Sequence, residues 1–523
     1  MLSKSYCMKV FLSITSSVLF GLFANAQEPA DALRSSWNVQ GGSARVQAIG
    51  GSMGSLGGDI TATFVNPAGL GFYRTGDLIL SPAYQRRNTS GTYYGKKESR
   101  EGDRFTWGTS GFVIGGGSGT GKIKTTALSI AYNRAADFNS NFEYRGLNNQ
   151  SSYSQKFLEE IKRNNIRDGN ELDANYEFGP SLAFRTYYID TIGGSTNGNF
   201  QFQSRAANLL STGLLQQNSV QTRGGIDEVA LAIGGQVNEK WLVGGTIGVP
   251  IMHYRRDGEF LETDATNNAN NKFDYAIISE KLRTGGVGFN AKLGAIYKPS
   301  EFWRLGLAFH SPSIYSLTDK YETSVTADVE SPSNGPLVSD SKEFNGGNPA
   351  ETKYGYISPY RVIGSISYVL REIQDVRKQR GFLTADVEFI NYKASSYFVD
   401  EEDDPDGTNK AYYKELNKAI NQAYKGAFNF RAGGELKFTT VMVRAGVAYY
   451  GNPYKDLNGE KGSKFNVSGG LGYRNKGFFV DLTYVHSLTK DVNFAYRLAQ
   501  SPYAGAQLRT NAGTGVVTFG FKI

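Results

Sequence analysis

The clearest pattern in the chain is a two-residue alternation of apolar and polar positions, strongest toward the C-terminus. Val517, Phe519, Phe521 and Ile523 share one face, with Thr518, Gly520 and Lys522 on the other. Upstream, Phe478, Val480, Leu482 and Tyr484 oppose Phe479, Asp481 and Thr483. Val441, Val443, Ala445, Val447 and Tyr449 likewise oppose Met442, Arg444, Gly446 and Ala448, and Leu383, Ala385, Val387 and Phe389 repeat the rule. Successive side chains on a strand point to opposite faces, so each segment predicts a strand with one apolar and one mixed polar wall. Reading the whole chain this way gives 14 candidate strands: 76–87, 107–115, 123–134, 226–237, 241–256, 273–297, 302–315, 355–370, 381–395, 426–437, 441–451, 464–474, 478–487 and 512–523.

A soluble sandwich alternates in the same way, so the connections decide. Asn238 to Lys240, Lys298 to Glu301, Thr439-Thr440 and Asn475 to Gly477 are tight turns. Between them lie long connections at 135–225, 257–272, 316–354, 396–425, 452–463 and 488–511. Short turns on one rim and long loops on the other are the rhythm of an outer-membrane barrel, whose closure leaves no sheet edge in hydrocarbon. The expected fold is therefore all-β, a 14-stranded antiparallel transmembrane β-barrel with both termini periplasmic. Three stripes at helical spacing predict short helices in the external loops: Phe157, Leu158 and Ile161; Ala206, Leu209, Leu210 and Leu214; and Tyr412, Leu416, Ile420 and Tyr424.

The N-terminus reads differently. Lys4 and Lys9 precede an apolar stretch from Val10 to Phe23, and Ala24-Asn25-Ala26 has the small-x-small pattern of a signal-peptidase site. Residues 1–26 are thus expected to be a cleaved secretory signal, 27–75 a separate compact segment, and 76–523 the barrel. Composition agrees with export and strands: 63 Gly, 32 Tyr and 32 Phe, a glycine share well above the ~7% of average usage. The only cysteine is Cys7, inside the leader, so the exported chain needs no disulfide.

Chemistry is sparse. His253, His310 and His486 have no ligand spacing, which argues against a histidine-built metal or haem site and against a resident cofactor. Gly115 to Lys122 looks like a phosphate loop but continues with Ile123 where Ser or Thr belongs, so a flexible hairpin is the better reading. Glu401 to Asp404 with Asp406 lacks a calcium-loop pattern and reads as a solvated loop. The net charge of +7 is modest and spread among acids, so no nucleic-acid partner is expected. Nothing points to an enzyme.

Residues 41–58 are small and Gly-rich, and Asp59 leads to Asn66-Pro67-Ala68-Gly69-Leu70, a turn-former in which Asn caps, Pro fixes φ and Gly permits positive φ. Such a segment ahead of the first strand suits a lumenal plug. Ala44 to Gly58, Asp59 and Asn66 to Leu70, with Trp303 to Pro312, Arg444 to Pro453 and Gly470 to Arg474, make the chain resemble the FadL/TodX family of outer-membrane transporters for long-chain fatty acids and other hydrophobic compounds. The resemblance implies an apolar groove among external loops, a lumenal site, and a hatch (27–75) gated through Asp59, Asn66, Pro67, Ala68 and Gly69. It also implies a side exit at a kinked strand, although Ile123 to Arg134 contains neither Pro nor Gly to mark one.

Lumen-face charges are Arg304, Asp386, Glu388, Arg431, Glu435, Arg444 and Asp481. Mutual pairing explains them most simply, because an unpaired buried charge is costly. The sharper expectation is that Arg431 or Arg444 receives a ligand carboxylate through a forked hydrogen bond. The partners expected are a hydrophobic small molecule and outer-membrane lipids, with oligomeric state left open. A general aqueous porin and an adhesive or haem-binding receptor are the rival functions.

Overall fold

A computed structural model describes residues 28–37, 41–117, 123–196, 199–330, 335–370, 380–405, 407–455 and 461–523. The expected leader lies outside the described residues. The chain forms a closed 14-strand antiparallel barrel, several of whose strands are interrupted once along their length.

In chain order the first strand is Asp77–Leu80 with Pro82–Tyr93, the second Lys96–Trp107 with Ser110–Gly116, and the third Thr125–Asp137 with Ser140–Asn148. The fourth to sixth are unbroken: Leu214–Gln236, Trp241–Asp264 and Tyr275–Tyr297. Then come Trp303–His310 with Ile314–Asp328, Ala350–Ile357 with Arg361–Leu370, and Gly381–Asn391 with Ser396–Phe398. The tenth to fourteenth are Gly426–Phe438, Val441–Tyr450, Ser463–Asn475, Phe478–Asn493 and Ala506–Lys522. Each pairs with its sequence neighbours, and Asp77↔Lys522 to Leu80↔Phe519 close the ring.

The alternation sets which wall faces out. Val441, Val443, Val447 and Tyr449 are exposed, while Met442, Arg444 and Ala448 are buried. Trp303, Leu305, Leu307 and Phe309 do the same on the seventh strand. Rings bracket this apolar belt. Trp241 packs on Tyr297 at 4.7 Å and Trp303 on Tyr368 at 4.9 Å near the short turns, with Phe389 on Phe428 at 5.1 Å toward the long loops. An apolar belt with aromatic margins matches a hydrocarbon slab and its interfaces.

Most strands run further toward the long loops than the alternation predicted. Lys96–Trp107 reads KKESREGDRFTW, and it hairpins with Pro82–Tyr93 through Tyr94 and Gly95, both at positive φ. Along Lys96 to Arg104 both faces are polar, so the ladder persists there without an apolar signal.

Within the long loops sit α4 (Ser154–Arg163), α5 (Gly169–Asn175), α6 (Pro180–Arg185) and α7 (Thr408–Ala423), following α1 (Pro29–Ser36), α2 (Ala44–Ala48) and α3 (Ala62–Val65) of the N-terminal segment. Phe157 and Ile161 of α4, and Tyr412, Leu416 and Ile420 of α7, are buried as their stripes predicted. The middle stripe is not a helix. Ala206–Leu209 is a single 3-10 turn, and Leu214 opens the fourth strand. Asp404, from the acidic run, caps α7 by accepting from the Asn409 and Lys410 amides at 3.0 and 2.7 Å.

Candidate functional site: an inserted segment, a lumenal cavity and a break in the wall

Residues 41–76 fold inside the barrel on the short-turn side. Their polar backbone must be satisfied there, and the wall does it. The Asp386 carboxylate accepts from Ser52 Oγ (2.8 Å), Met53 N (2.9 Å) and Gly54 N (3.1 Å). Thr518 and Thr483 hold the Ala44 amide and carbonyl at 2.7 and 2.6 Å, and His310 Nε2 lies 2.8 Å from the Val65 carbonyl. Thr246 Oγ1 donates to Thr63 O at 2.8 Å, and Thr63 Oγ1 in turn donates to Ser129.

Asp59 accepts from Ser43 Oγ at 2.7 Å and from the Thr61 amide at 2.9 Å, tying both ends of the segment's Gly-rich stretch. Asn66 caps the turn Pro67–Phe72 by accepting from Ala68 N at 3.1 Å. Its amide group also donates to Gly54 O at 2.6 Å and to the wall carbonyls of Ala295 and Leu307. Pro67 and Ala68 are buried with it. Gly69 serves a different purpose from the one read in the sequence. Its φ is not positive, and it is small because a Cβ there would lie 2.6 Å from Leu56 O.

The same close approach explains much of the glycine in the wall. A Cβ at Gly294 would sit 1.8 Å from Asn66 Oδ1, and one at Gly244 2.4 Å from the Pro67 carbonyl carbon. Gly234, Gly244 and Gly294 are cross-strand partners, so three adjacent strands offer bare backbone to the Asn-Pro turn.

Glu388, Arg431, Glu435, Arg444 and Asp481 pair with one another. Arg431 meets Glu388 at 2.7 Å, and Arg444 bridges Glu435 and Asp481 at 2.6 Å each. Glu435 also receives Arg45 of α2 at 3.3 Å. Both wall guanidinium side chains, Arg431 and Arg444, have 0% exposure, and neither lines the main cavity. Arg304 lies 4.5 Å from the centre of the Phe72 ring.

Above the segment a cavity of about 2150 Å³ reaches from Gln47 and Gly50 up to α4, α7 and the 494–503 loop. Its lining mixes aromatics with charge: Phe138, Tyr254 and Tyr424 beside Arg34, Lys156 and Lys464. α1 hangs in this space. The Tyr356 hydroxyl donates to Ala32 O at 3.1 Å, Arg361 donates to Ser36 O at 3.1 Å, and Lys464 Nζ stands 4.1 Å from the Trp37 ring. Arg34 lies 3.6 Å over Tyr254.

The wall of this cavity is incomplete on one side. The second and third strands pair only from Ser110↔Tyr132 to Gly116↔Thr126. Among the described residues no backbone ladder joins Lys96–Trp107 to Ser140–Asn148. The third strand is bulged between Arg134 and Ala136 and broken at Phe138-Asn139. Side chains span the seam: Arg100 with Glu143, Arg145 with Glu98 at 2.9 Å, and Asp137 with both Arg87 (3.1 Å) and Arg104 (2.6 Å). Cavity-lining residues run to this seam, including the outward-facing Trp107.

The kink absent from Ile123 to Arg134 therefore exists, just past that stretch and without Pro or Gly of its own. The neighbouring strand carries the signal. Gly224 sits at φ +114°, and a Cβ at Gly225 would lie 2.2 Å from Ala136 O, so the Gly-Gly pair makes room for the bulge.

Neither a protein-family model nor a curated protein sequence matches the chain. Solved structures match it in shape. A Pseudomonas aeruginosa FadL homologue superposes with a TM-score of 0.53 at 12% identity, covering 92% of this chain and 99% of its own. The chain has the FadL-type fold. The P. putida toluene transporter TodX gives 0.50 at 11% identity, over 93% of this chain and 99% of the other. At these identities the likeness is one of architecture, and the FadL-type barrel here carries its own lining, loops and ion pairs.

Proposed function

We propose that this FadL-type barrel is a passive outer-membrane channel for hydrophobic small molecules, gated by its N-terminal segment. The observation that carries the reading is one cavity bounded below by residues 41–76 and running laterally to the unpaired seam of the second and third strands. A through-pore for sugars needs a clear axis, whereas a greasy solute gains most from an apolar route that ends in lipid. In this reading the long loops face outward, both termini are periplasmic, and ligand leaves through the seam while the segment shifts.

A long-chain fatty acid fits the lining better than a bare aromatic hydrocarbon. Tyr and Phe rings suit the chain, and a cation such as Lys156 suits a carboxylate. Arg444 is assigned to holding the segment through Glu435 and Arg45, and Arg431 to the wall's own pair with Glu388, since both guanidinium groups are sealed and already paired. Asp59 and Asn66 to Gly69 form the hinge-bearing part of the gate. The test is displacement of a fluorescent fatty acid from purified protein together with liposome swelling. Saturable displacement with no sugar-driven swelling supports the proposal. Swelling at ordinary porin rates sinks it, and a haem titration with no fatty-acid displacement favours a receptor.

A further inference from the structure

A cluster of charge on the outer wall is not accounted for by the cavity or the segment. Arg223, Arg255, Arg283 and Lys320 lie on the fourth to seventh strands, and each is the direct cross-strand partner of the next: Arg255↔Arg223, Arg255↔Arg283, Arg283↔Lys320. All four are exposed on the outside of the barrel. Their inward neighbours Thr222, Arg256 and Leu282 line the cavity. Adjacent strands are about 4.8 Å apart, and like charges placed directly opposite destabilise a sheet. An unbroken row of cations is thus a local cost that the fold alone does not explain.

Nearby acids balance only part of the row. Asp257 pairs with Arg255 at 2.8 Å and Glu351 with Lys320 at 3.1 Å. Lys281, one step further from the belt, is taken by Glu322. Arg223 and Arg283 have no acidic partner among the described residues. The position is also specific. The row stands just past the last lipid-facing apolar residues of the same strands, Val229, Ile251, Val287 and Ile314. Four to six residues separate it from them along each strand. At about 3.3 Å per residue on tilted strands, that is the polar zone outside the hydrocarbon, and long basic side chains reach back toward it.

We infer that this row is a docking site for the phosphorylated headgroup of an outer-leaflet lipid, with Arg223 and Arg283 as its main anion contacts. The inference rests on the proposed orientation, long loops outward, but not on what the cavity carries. Phosphate oxygens set between neighbouring cations convert cross-strand repulsion into charge-assisted hydrogen bonds. The site would mark the face of the barrel formed by the fourth to seventh strands, next to the seam, as the one that holds a fixed lipid.

The test uses the full-length protein in nanodiscs of phosphatidylcholine with or without lipid A, whose diglucosamine headgroup bears phosphate monoesters. Wild type is compared with Arg223→Gln/Arg283→Gln and with Arg223→Lys/Arg283→Lys. Losing both charges is expected to weaken lipid A retention about 30-fold, while the Lys pair keeps most of it. In phosphatidylcholine alone the Gln pair should melt at or above the wild-type temperature, because repulsion is relieved. With lipid A that order should reverse. Equal lipid A retention by wild type and the Gln pair overturns the inference, as does equal stabilisation of wild type by inorganic phosphate. Fluorescent fatty-acid displacement from the cavity should be the same in all three proteins. Its loss in all of them would count against the transport proposal and leave this one standing.

Discussion

Removing the Asp386 carboxylate tests the proposed gate at a point where several contacts converge. In Asp386→Ala the Ser52 hydroxyl and the Met53 and Gly54 amides lose one shared acceptor, and Ser365 Oγ loses its 2.6 Å bond. Hydrogen bonds to a charged group contribute about 1.5–3 kcal/mol each, but bonds sharing one carboxylate are not additive. A net loss of about 3 kcal/mol is reasonable, and it raises the population of the displaced segment about 100-fold. Arg431 keeps Glu388, so no buried charge is stranded. The assay is conductance in planar bilayers, with Glu401→Gln on an exposed loop as the control. Frequent open events in Asp386→Ala, with unchanged heat-resistant migration of the barrel, are expected. A correctly folded Asp386→Ala barrel as silent as wild type would refute the reasoning.

Other perturbations separate the parts of the site. Gly294→Val drives a side chain into Asn66, and the wall cannot retreat without breaking its ladder. It should leave the barrel folded but make residues 41–76 accessible to protease. Asp137→Ala frees Arg87 and Arg104 and unclasps the seam. Spin labels at the exposed positions Ser99 and Leu147, either side of the seam and outside its ion pairs, should then report a broader distance distribution, and an unchanged one argues against Asp137 as the clasp. Phe157→Ala with Leu416→Ala removes two buried loop anchors. About 2–5 kcal/mol of packing is lost at each, which should loosen the long-loop cap seen by hydrogen exchange while the barrel amides stay protected.

The sequence read well wherever one face of a strand meets lipid. Val441 to Tyr449 and Trp303 to Phe309 alternate without error, because hydrocarbon outside and mixed polarity inside impose a period of two. Beyond the belt, Lys96 to Arg104 are largely exposed on both faces, and the same chemistry fits a coil. The Asn66 cap was legible because its geometry is local. The bulge at Arg134 and Ala136 was not. Its cause is Gly224-Gly225, about 90 residues later in sequence and adjacent only after the sheet forms. The lumen arginines were legible as charges but not as partners, since pairing depends on register: Glu435 lies directly across from Arg444, while Arg431 lies across from Asp386 and pairs with Glu388 beside it. The row from Arg223 to Lys320 was hidden for the same reason.

The central claim is that ligand passes only when the N-terminal segment moves against the wall, and a reversible lock tests it directly. Ser52 Oγ and Thr384 Oγ1 are 3.2 Å apart, so Ser52→Cys/Thr384→Cys brings a thiol pair within bonding reach. Cys7 is the only native cysteine, so Cys7→Ser in the same protein leaves the pair without competitors. The measurement is entry of a fluorescent fatty acid into proteoliposomes before and after oxidation, with the cross-linked fraction quantified. Entry should stop in proportion to cross-linking and return on reduction. Undiminished entry through a fully cross-linked protein would contradict the account.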